Sequence, residues 1–267
     1  MIYITGDTHN ITDMSNLSSN NMKLCCMEQG ADFDGITTAI VLGDFGLPWN
    51  ICPVDSEGIH PVNKTDRYLL NWYKQKPFKI LAVQGNHDNY DMIKKLPEVE
   101  MFGSKVLKIS DNIFCLKRGE IYQIEDKTFL VLGGALSDDK AYRKAHESWW
   151  PQEEWSDEER IKCIERIERI KGKVDYVLSH TGTTKGIASL DAYYENDENI
   201  AELRRDSTVV FNDKVESMIV YKKWFFGHWH SDWDTIIILQ VNMCLYTIWE
   251  SFFSEINFFI VFSNFQY

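Results

Sequence analysis

Aspartate, histidine and asparagine recur in five short segments of this chain, each directly after an apolar run. Their carboxylate, imidazole and amide groups are the ligands that hard and borderline divalent cations take in proteins. Asp7 and His9 alternate along one extended segment, so both can turn toward one ion, whereas His228 and His230, with the same spacing, could share one ion or each serve a different one. The five segments are Gly6-Asp7-Thr8-His9, Gly43-Asp44, Gly85-Asn86-His87-Asp88, Ser179-His180 and Gly227-His228-Trp229-His230. Together they predict the walls of one metal site.

The apolar runs before these segments predict buried strands, because they are short, β-prone and bounded by glycine or polar residues. In open α/β sheets, ligands bind just beyond the carboxyl ends of such strands. We therefore expect the fold to bring the five segments together. The runs are Ile2–Ile4, Ala39–Leu42, Ile80–Val83, Tyr176–Leu178 and Trp224–Phe226.

The remaining periodicity predicts helices and a second group of strands. The clearest helix is Asp157–Lys171, with Ser156 as N-cap, Glu159 as its capping-box partner and Gly172 as the stop. Further helices are expected at Met22–Gln29, Arg67–Lys74 and Ile200–Arg205. Close-set strands suggest a second sheet packed against the first, and they are Val106–Ile109, Ile113–Leu116, Ile121–Ile124 and Phe129–Leu132.

The composition is typical of a compact enzyme. The chain has 267 residues, of which 44% are hydrophobic and 25% charged, enough for one large domain. The net charge of −12 argues against broad binding to nucleic acid or anionic membrane. It does not exclude phosphate substrates, since bound divalent ions reverse the local field. Six cysteines without a CxxC pair, and no leader before the first motif, predict a cytoplasmic protein.

The C-terminal tail differs from the rest of the chain. It is rich in Ile, Phe, Leu and Trp between Ile236 and Phe262, yet Gln240, Glu250 and Glu255 interrupt the apolar windows. A carboxylate near the centre of a spanning helix costs roughly 2.5–3.5 kcal/mol, so final strands and a buried segment are favoured over a membrane anchor. We therefore expect a domain over residues 1–235, with 236–267 either part of it or an atypical extension.

The order of the five motifs resembles that of the calcineurin-like metallophosphoesterases, and it spans residues 6–230. The stretch 133–140, followed by Arg143 and Trp149-Trp150, is similar to a bacterial or phage branch of that family. The resemblance implies an α/β fold in which two β-sheets pack as a sandwich flanked by helices, in four layers. It also implies two divalent metal ions, with manganese favoured and iron, zinc, nickel or cobalt as alternatives.

The resemblance assigns roles to individual residues. It implies that Asp7, His9 and His230 hold the first ion, that Asn86, His180 and His228 hold the second, and that Asp44 bridges them. A metal-bound hydroxide would then attack phosphorus. His87 would lie beside the leaving oxygen, and Asp88 would orient its imidazole and favour the protonated form. Lys140 and Arg143 are candidates for contacts with the substrate phosphate.

Other polar and aromatic residues are expected to have structural roles. His60 and His146 lie outside the motifs and are predicted to be surface residues. Asp13, Asp138 and Asp139 are predicted to be loop carboxylates, and the segments 47–66, 137–155 and 181–199 to shape the substrate site. Trp149 and Trp150 are predicted to pack rather than to stack on substrate.

The sequence therefore predicts a binuclear metal phosphoesterase acting on a small phosphorylated substrate, with nucleotides among the candidates. Serine/threonine protein phosphatases carry arginines in their second and third motifs, whereas Gly43–Pro48 has none and GNHD replaces GNHE. This departure argues against phosphoprotein substrates. A non-catalytic scaffold of the same fold and a nuclease subunit are the alternatives, although the acidic balance disfavours stable nucleic-acid binding. The oligomeric state is not readable from the sequence.

Overall fold

The computed structural model describes residues 1–194, 206–229 and 258–261. The described strands are β1 (Ile2–Thr5), β2 (Thr38–Val41), β3 (Val54–Asp55), β4 (Gly58–Ile59), β5 (Lys79–Ala82), β6 (Glu98–Met101), β7 (Ser104–Lys108), β8 (Ile113–Leu116), β9 (Ile121–Ile124), β10 (Lys127–Leu132), β11 (Tyr176–Ser179), β12 (Lys223–Phe226) and β13 (Phe258–Val261). The described α-helices are α1 (Ser19–Glu28), α2 (Lys64–Lys74), α3 (Tyr90–Ile93), α4 (Asp157–Arg169), α5 (Thr184–Tyr194) and α6 (Ser207–Met218).

Two main sheets organise the strands. The larger has the order β13-β1-β2-β5-β8-β7-β6. The strands from β13 to β8 are parallel, whereas β7 runs antiparallel to β8, and β6 antiparallel to β7. The smaller has the order β12-β11-β10-β9, with only β9 antiparallel to its neighbour. A two-stranded ribbon, β3-β4, lies outside both. β13 pairs with β1 from Ile2 opposite Phe258, within the tail where the sequence predicts final strands.

The apolar side chains form three cores, and these define the layers. Alternate residues of the central strands, such as Ile4 and Leu81, pack against Phe129 and Leu178 of the smaller sheet. The opposite face of the larger sheet packs against α1 and α2, and the opposite face of the smaller sheet packs against α4 and α6. Because side chains alternate across a strand, each sheet buries both faces. The result is the predicted four-layer sandwich, and the fold class is confirmed.

The cap of α4 is the predicted one, whereas α2 begins at a cap that was not predicted. Ser156 accepts the Glu159 amide while the Glu159 side chain accepts the Ser156 amide, which confirms the capping box of α4. The helix ends at Arg169, two residues before the predicted end, because Lys171 has a left-handed φ of 56°. α2 begins three residues before the predicted Arg67, since the side chain of Asn63 caps it. The predicted helix Ile200–Arg205 lies outside the described residues.

The assignment of strands to sheets differs from the prediction in one respect. β7 and β8, predicted to start the second sheet, belong to the larger one, whereas β11 and β12 belong to the smaller one. Within the described part of the chain, no helix is both long enough and apolar enough to cross a bilayer. His60 and His146 are surface residues as predicted, and each contacts an aspartate at 2.8 Å.

Candidate metal centre

The five predicted segments converge at the carboxyl ends of strands from both sheets. Asp7, Asp44 and Asn86 follow β1, β2 and β5 of the larger sheet, while His180 and His228 follow β11 and β12 of the smaller. His180 joins the two groups, since its Nδ1 lies 3.7 Å from an Asp7 oxygen and its Nε2 lies 3.4 Å from an Asp44 oxygen. The site therefore occupies the end of the seam between the sheets.

Asp7, His9 and Asp44 form a compact group of potential ligands. One ligand atom from each lies within 4.8 Å of the others. The His9 Nε2 lies 3.6 Å from Asp7 Oδ2, and its Nδ1 lies 3.9 Å from Asp44 Oδ2. The His9 amide donates to the Asp44 carbonyl at 2.8 Å, and both residues have left-handed backbone conformations, with φ values of 40° and 50°. Backbone strain of this kind persists where the surrounding structure enforces it, often at functional sites.

His180 presents one ring nitrogen to the centre. Its Nδ1 donates to the Leu42 carbonyl at 2.7 Å, because a carbonyl oxygen can only accept. Its Nε2 then faces Asn86 Oδ1 at 2.8 Å. A backbone carbonyl on one nitrogen is the usual way in which a protein orients a metal-binding histidine. His180 is fully buried, so the orientation is enforced by packing as well.

His228 completes the described part of the centre. Its ring lies 5.0 Å from the His180 ring, and its amide lies 3.2 Å from both oxygens of Asp7. Its φ of 74° is left-handed, as at His9 and Asp44. His230, predicted as a ligand of the first ion, lies outside the described residues.

Two glycines of the motifs lie so close to candidate ligands that no side chain fits in their place. A Cβ at Gly43, where φ is +105°, would lie 2.1 Å from Nδ1 of His180. A Cβ at Gly85 would lie 2.0 Å from Oδ1 of Asp44. Any side chain at either position would displace a candidate ligand, so the glycines belong to the site rather than to the turns alone.

Burial and the charges of neighbouring groups together set the pKa values of the centre. It raises the pKa of Asp7 to about 7, against the charge of His180, which lowers it. Burial also opposes ionisation of Asp44, yet the contact with His180 outweighs it and lowers the pKa of this carboxyl. Burial lowers the pKa of His180, but Asp44 and Asp7 outweigh it and raise the value to about 10. The two carboxylates thus favour a positive charge on His180, and a bound cation can supply that charge instead.

The residues fit a divalent cation. The oxygens of Asp44 and Asn86 lie within 3.4 Å of the same ring nitrogen of His180, so ligand atoms of three types converge on one point inside a buried space. The mixture of carboxylate, amide oxygen and imidazole suits manganese, iron, zinc and related ions. Asp7, His9, Asp44, Asn86, His180 and His228 could all contribute to such binding.

A hydrogen-bond chain that sequence reasoning missed orients Asn86. The Asn86 Nδ2 donates to Ser137 Oγ at 3.0 Å, and that hydroxyl donates to Glu153 Oε2 at 2.6 Å. The Ser137 amide donates to the other Glu153 oxygen at 2.9 Å. Because the amide nitrogen is held in this way, Oδ1 must face the centre. Ser137 falls in a stretch that carries the family resemblance, but nothing in its pattern points to Asn86.

The predicted role of Asp88 is wrong in its contacts. Both oxygens of this buried carboxylate accept backbone amides, from Gly46 at 3.0 Å and from Gly85 at 2.8 Å. Its carboxylate therefore ties together the loops after β2 and β5 and does not orient the His87 ring. Burial lowers the pKa of His87, with Arg143 acting in the same direction and Asp44 against it. These surroundings favour the neutral form of the imidazole.

The two basic candidates lie in different surroundings. Arg143 lines the same cleft as His9 and His87, and its guanidinium contacts Asp139 at 2.6 Å. Lys140 is half-exposed and contacts Glu154 at 3.9 Å, and it is not part of the cleft wall. Trp150 is buried against Trp49, so the predicted packing role of Trp150 is confirmed. Asp13 lies in a loop, as predicted, and is also buried in the cleft wall.

Comparison with known proteins agrees with this geometry. A family model described as calcineurin-like phosphoesterase matches residues 1–232, which is most of the chain and includes every candidate ligand. No curated protein and no solved structure matches the chain. With that coverage, the chain belongs to the calcineurin-like phosphoesterase family.

Proposed function

We propose that this protein is a metal-dependent phosphoesterase that hydrolyses a phosphomonoester or phosphodiester at a site for two divalent cations. The observation that carries the proposal is the position of Asp44 between two ligand groups. One of its oxygens lies 3.9 Å from His9, on the side of Asp7, and the other lies 3.4 Å from His180, on the side of Asn86. A carboxylate between two sets of donors is suited to bridge a pair of cations.

The proposed ligand sets follow from this arrangement and from the family pattern. The first ion would be held by Asp7, His9 and His230, the second by Asn86, His180 and His228, and both by Asp44. Manganese is the ion we would test first. Divalent cations bound there would lower the pKa of water and neutralise phosphate charge, which is the chemistry that phosphoester hydrolysis requires.

The chain's own groups have separate tasks in this proposal. His87 lies at the border between the centre and the cleft, with its ring 5.8 Å from that of His9. Its imidazole can donate a hydrogen bond or a proton to the leaving oxygen. Arg143, in the same wall, can form a charge-assisted contact with a phosphate oxygen. Asp88 keeps the motif loops together and so acts on the position of His87 through the backbone.

The proposed substrate is a small phosphorylated molecule, with nucleotides included in the first screen. The five described cysteines are all free and buried, which supports a reducing, cytoplasmic environment as part of the proposal.

The test is hydrolysis of p-nitrophenyl phosphate and bis(p-nitrophenyl) phosphate by purified protein loaded with manganese. We expect turnover that is lost on chelation and dialysis and restored by manganese. Asp44→Asn should lower kcat/KM by at least about 100-fold, because it removes the bridging charge. Asp111→Asn, at an exposed position, is the matched control. Full turnover after chelation would contradict the proposal, and fewer than two ions per chain without turnover would favour a scaffold.

A further inference from the structure

The cleft beside the metal centre is much larger than a phosphate group. It has a volume of about 950 Å³ and is lined by His9 and His87 at its inner end. Pockets of this size hold whole small molecules, and their few polar groups determine orientation and specificity. The cleft wall therefore faces the part of the substrate that lies beyond phosphorus. A specificity assigned to this wall rests on the proposed phosphoesterase function.

Asp13 is the most informative residue of this wall. Its residue surface is only 3% exposed, and it lines the cleft. It precedes the short helical turn Met14–Leu17 as N-cap, yet its side chain accepts no cap hydrogen bond. The carboxylate forms no hydrogen bond or ion pair with any described residue, whereas buried carboxylates are normally paired. Burial raises its pKa to about 6, so it is mainly ionised at neutral pH.

Two asparagines add acceptors to the same wall. Asn10 donates its side-chain amide to the Gly46 carbonyl at 3.0 Å, and Asn50 donates its own to Asp66 Oδ1 at 3.0 Å. Because a carbonyl and a carboxylate accept and do not donate, the amide nitrogens must point to them. The Oδ1 atoms of Asn10 and Asn50 are left to accept from a ligand. Together with Asp13 they give the wall three acceptor groups.

Cationic groups are scarce in this wall. Arg143 supplies the only guanidinium or ammonium group that the described residues contribute to the cleft. Its Nη2 already contacts Asp139 at 2.6 Å, and its Nη1 donates to the Ser148 carbonyl at 3.0 Å. A second phosphate would therefore meet the Asp13 charge without a free cationic group among the described residues to balance it, and only neutral donors, from Thr12, Asn63 and Thr65, to bind it. Trp49, packed edge-on against Trp150 at 5.3 Å, offers an apolar surface for a carbon skeleton.

We propose that the cleft recognises phosphoesters whose alcohol part carries hydrogen-bond donors, hydroxyl or ammonium, bound by Asp13, Asn10 and Asn50. The same wall discriminates against a second phosphate on the substrate. Asp13 is the residue that determines this specificity, because it is the buried charge for which the described residues supply no partner.

The test compares four esters of similar size with manganese-loaded full-length protein. Propyl phosphate has no donor, glycerol 1-phosphate has hydroxyls, 3-aminopropyl phosphate has an ammonium group, and propane-1,3-diyl bisphosphate has a second phosphate. We expect kcat/KM to be at least about tenfold higher for the glycerol or the aminopropyl ester than for propyl phosphate, and lowest for the bisphosphate. Whichever donor ester is preferred identifies the donor that Asp13 binds.

Asp13→Asn should reduce the preference for the donor-bearing ester over propyl phosphate at least about fivefold. Asp111→Asn should leave that preference unchanged, since its carboxylate is exposed and remote from the cleft wall. If Asp13→Asn does not fold, as judged by circular dichroism, the wild-type panel decides alone. Equal kcat/KM for the three monophosphates, with bis(p-nitrophenyl) phosphate still hydrolysed, would overturn this inference and leave the proposed function intact. If the protein hydrolyses none of the aryl esters, the proposed function itself is contradicted.

Discussion

Nε2 of His180 lies 2.8 Å from Oδ1 of Asn86, although the two residues are 94 positions apart and belong to different sheets. Each is fixed from behind, His180 by the Leu42 carbonyl and Asn86 by the Ser137 hydroxyl. A ring nitrogen and an amide oxygen that are both held toward one point form an arrangement suited to a metal ion. The groups that hold these two side chains in place can therefore be tested by mutation, as the ligands themselves can.

Ser137→Ala should weaken the second of the two proposed cation sites. The substitution removes the acceptor for the Asn86 amide nitrogen and leaves one Glu153 oxygen without its 2.6 Å donor. The Asn86 carboxamide is then free to rotate, and we expect affinity for the second ion to fall by roughly 10–100-fold, as for other groups that orient ligands. Isothermal titration with manganese measures it, and the spin-coupled electron paramagnetic resonance signal of a manganese pair should weaken in parallel.

Ser217→Ala is the matched control for this experiment. Its hydroxyl also donates a hydrogen bond, to the Lys214 carbonyl at 2.6 Å, but at an exposed position on α6. This variant should bind two ions as the wild type does. Ser137→Thr, which keeps the hydroxyl, should restore part of the affinity. Unchanged binding of both ions by Ser137→Ala would show that Asn86 does not need this orientation.

Metal binding should stabilise the fold in proportion to its affinity. A ligand that binds only the folded state at a concentration 100 times its Kd adds about 2.7 kcal/mol per site. For a domain of this size, that corresponds to a rise in Tm of roughly 5–10 °C per site. Differential scanning calorimetry of chelated and manganese-loaded protein measures the shift. Asp44→Asn should reduce it, because the bridging carboxylate contributes to both sites, and an equal shift in the variant would contradict that role.

The capping box of α4 should contribute to stability without affecting the centre. Ser156→Ala removes the acceptor of the Glu159 amide and the hydroxyl contact with its carboxylate at 2.7 Å. We expect a loss of about 1 kcal/mol in the free energy of unfolding, the usual effect of removing an N-cap. Urea unfolding measures it, and two manganese ions per chain should remain bound. A loss of metal would mean that α4 positions the centre.

Much of the site can be predicted because its signals are local. Each ligand-bearing segment follows a run of apolar residues, and the carboxyl end of a buried strand is where such residues become accessible to a ligand. This pattern identifies Asp7, Asp44 and His180, and the structure places His180 within 4 Å of both carboxylates. The capping box of α4 is equally local, since both partners lie within one helical turn.

The features that cannot be predicted depend on contacts between distant parts of the chain. Periodicity identifies β11 as a strand but does not reveal that its neighbours are β10 and β12. Asn86 and Ser137 are 51 residues apart, and the sequence around either residue gives no sign of the other. Adjacency in sequence suggests a contact between Asp88 and His87, whereas the Asp88 side chain reaches back to the backbone amide of Gly46.

Gly43→Ala should damage the centre more than the addition of one methyl group suggests. The new methyl group would lie 2.1 Å from His180 Nδ1, and the backbone φ of +105° is one that alanine rarely adopts. Conformational strain of about 1–3 kcal/mol adds to the cost of the clash, so we expect at least about 3 kcal/mol of lost stability. Urea unfolding measures this loss. We also expect the loss of metal binding by His180, because its ring must move.

Gly103→Ala separates the two causes. Gly103 also has a positive φ, of +78°, but a Cβ there would meet nothing within 4 Å. The Gly103→Ala variant should therefore lose only about 1–2 kcal/mol of stability, which is the cost of a left-handed conformation for an L-residue. It should still bind both ions. If the two variants lose the same stability and bind metal equally well, the close approach of Gly43 to His180 is not what the centre depends on.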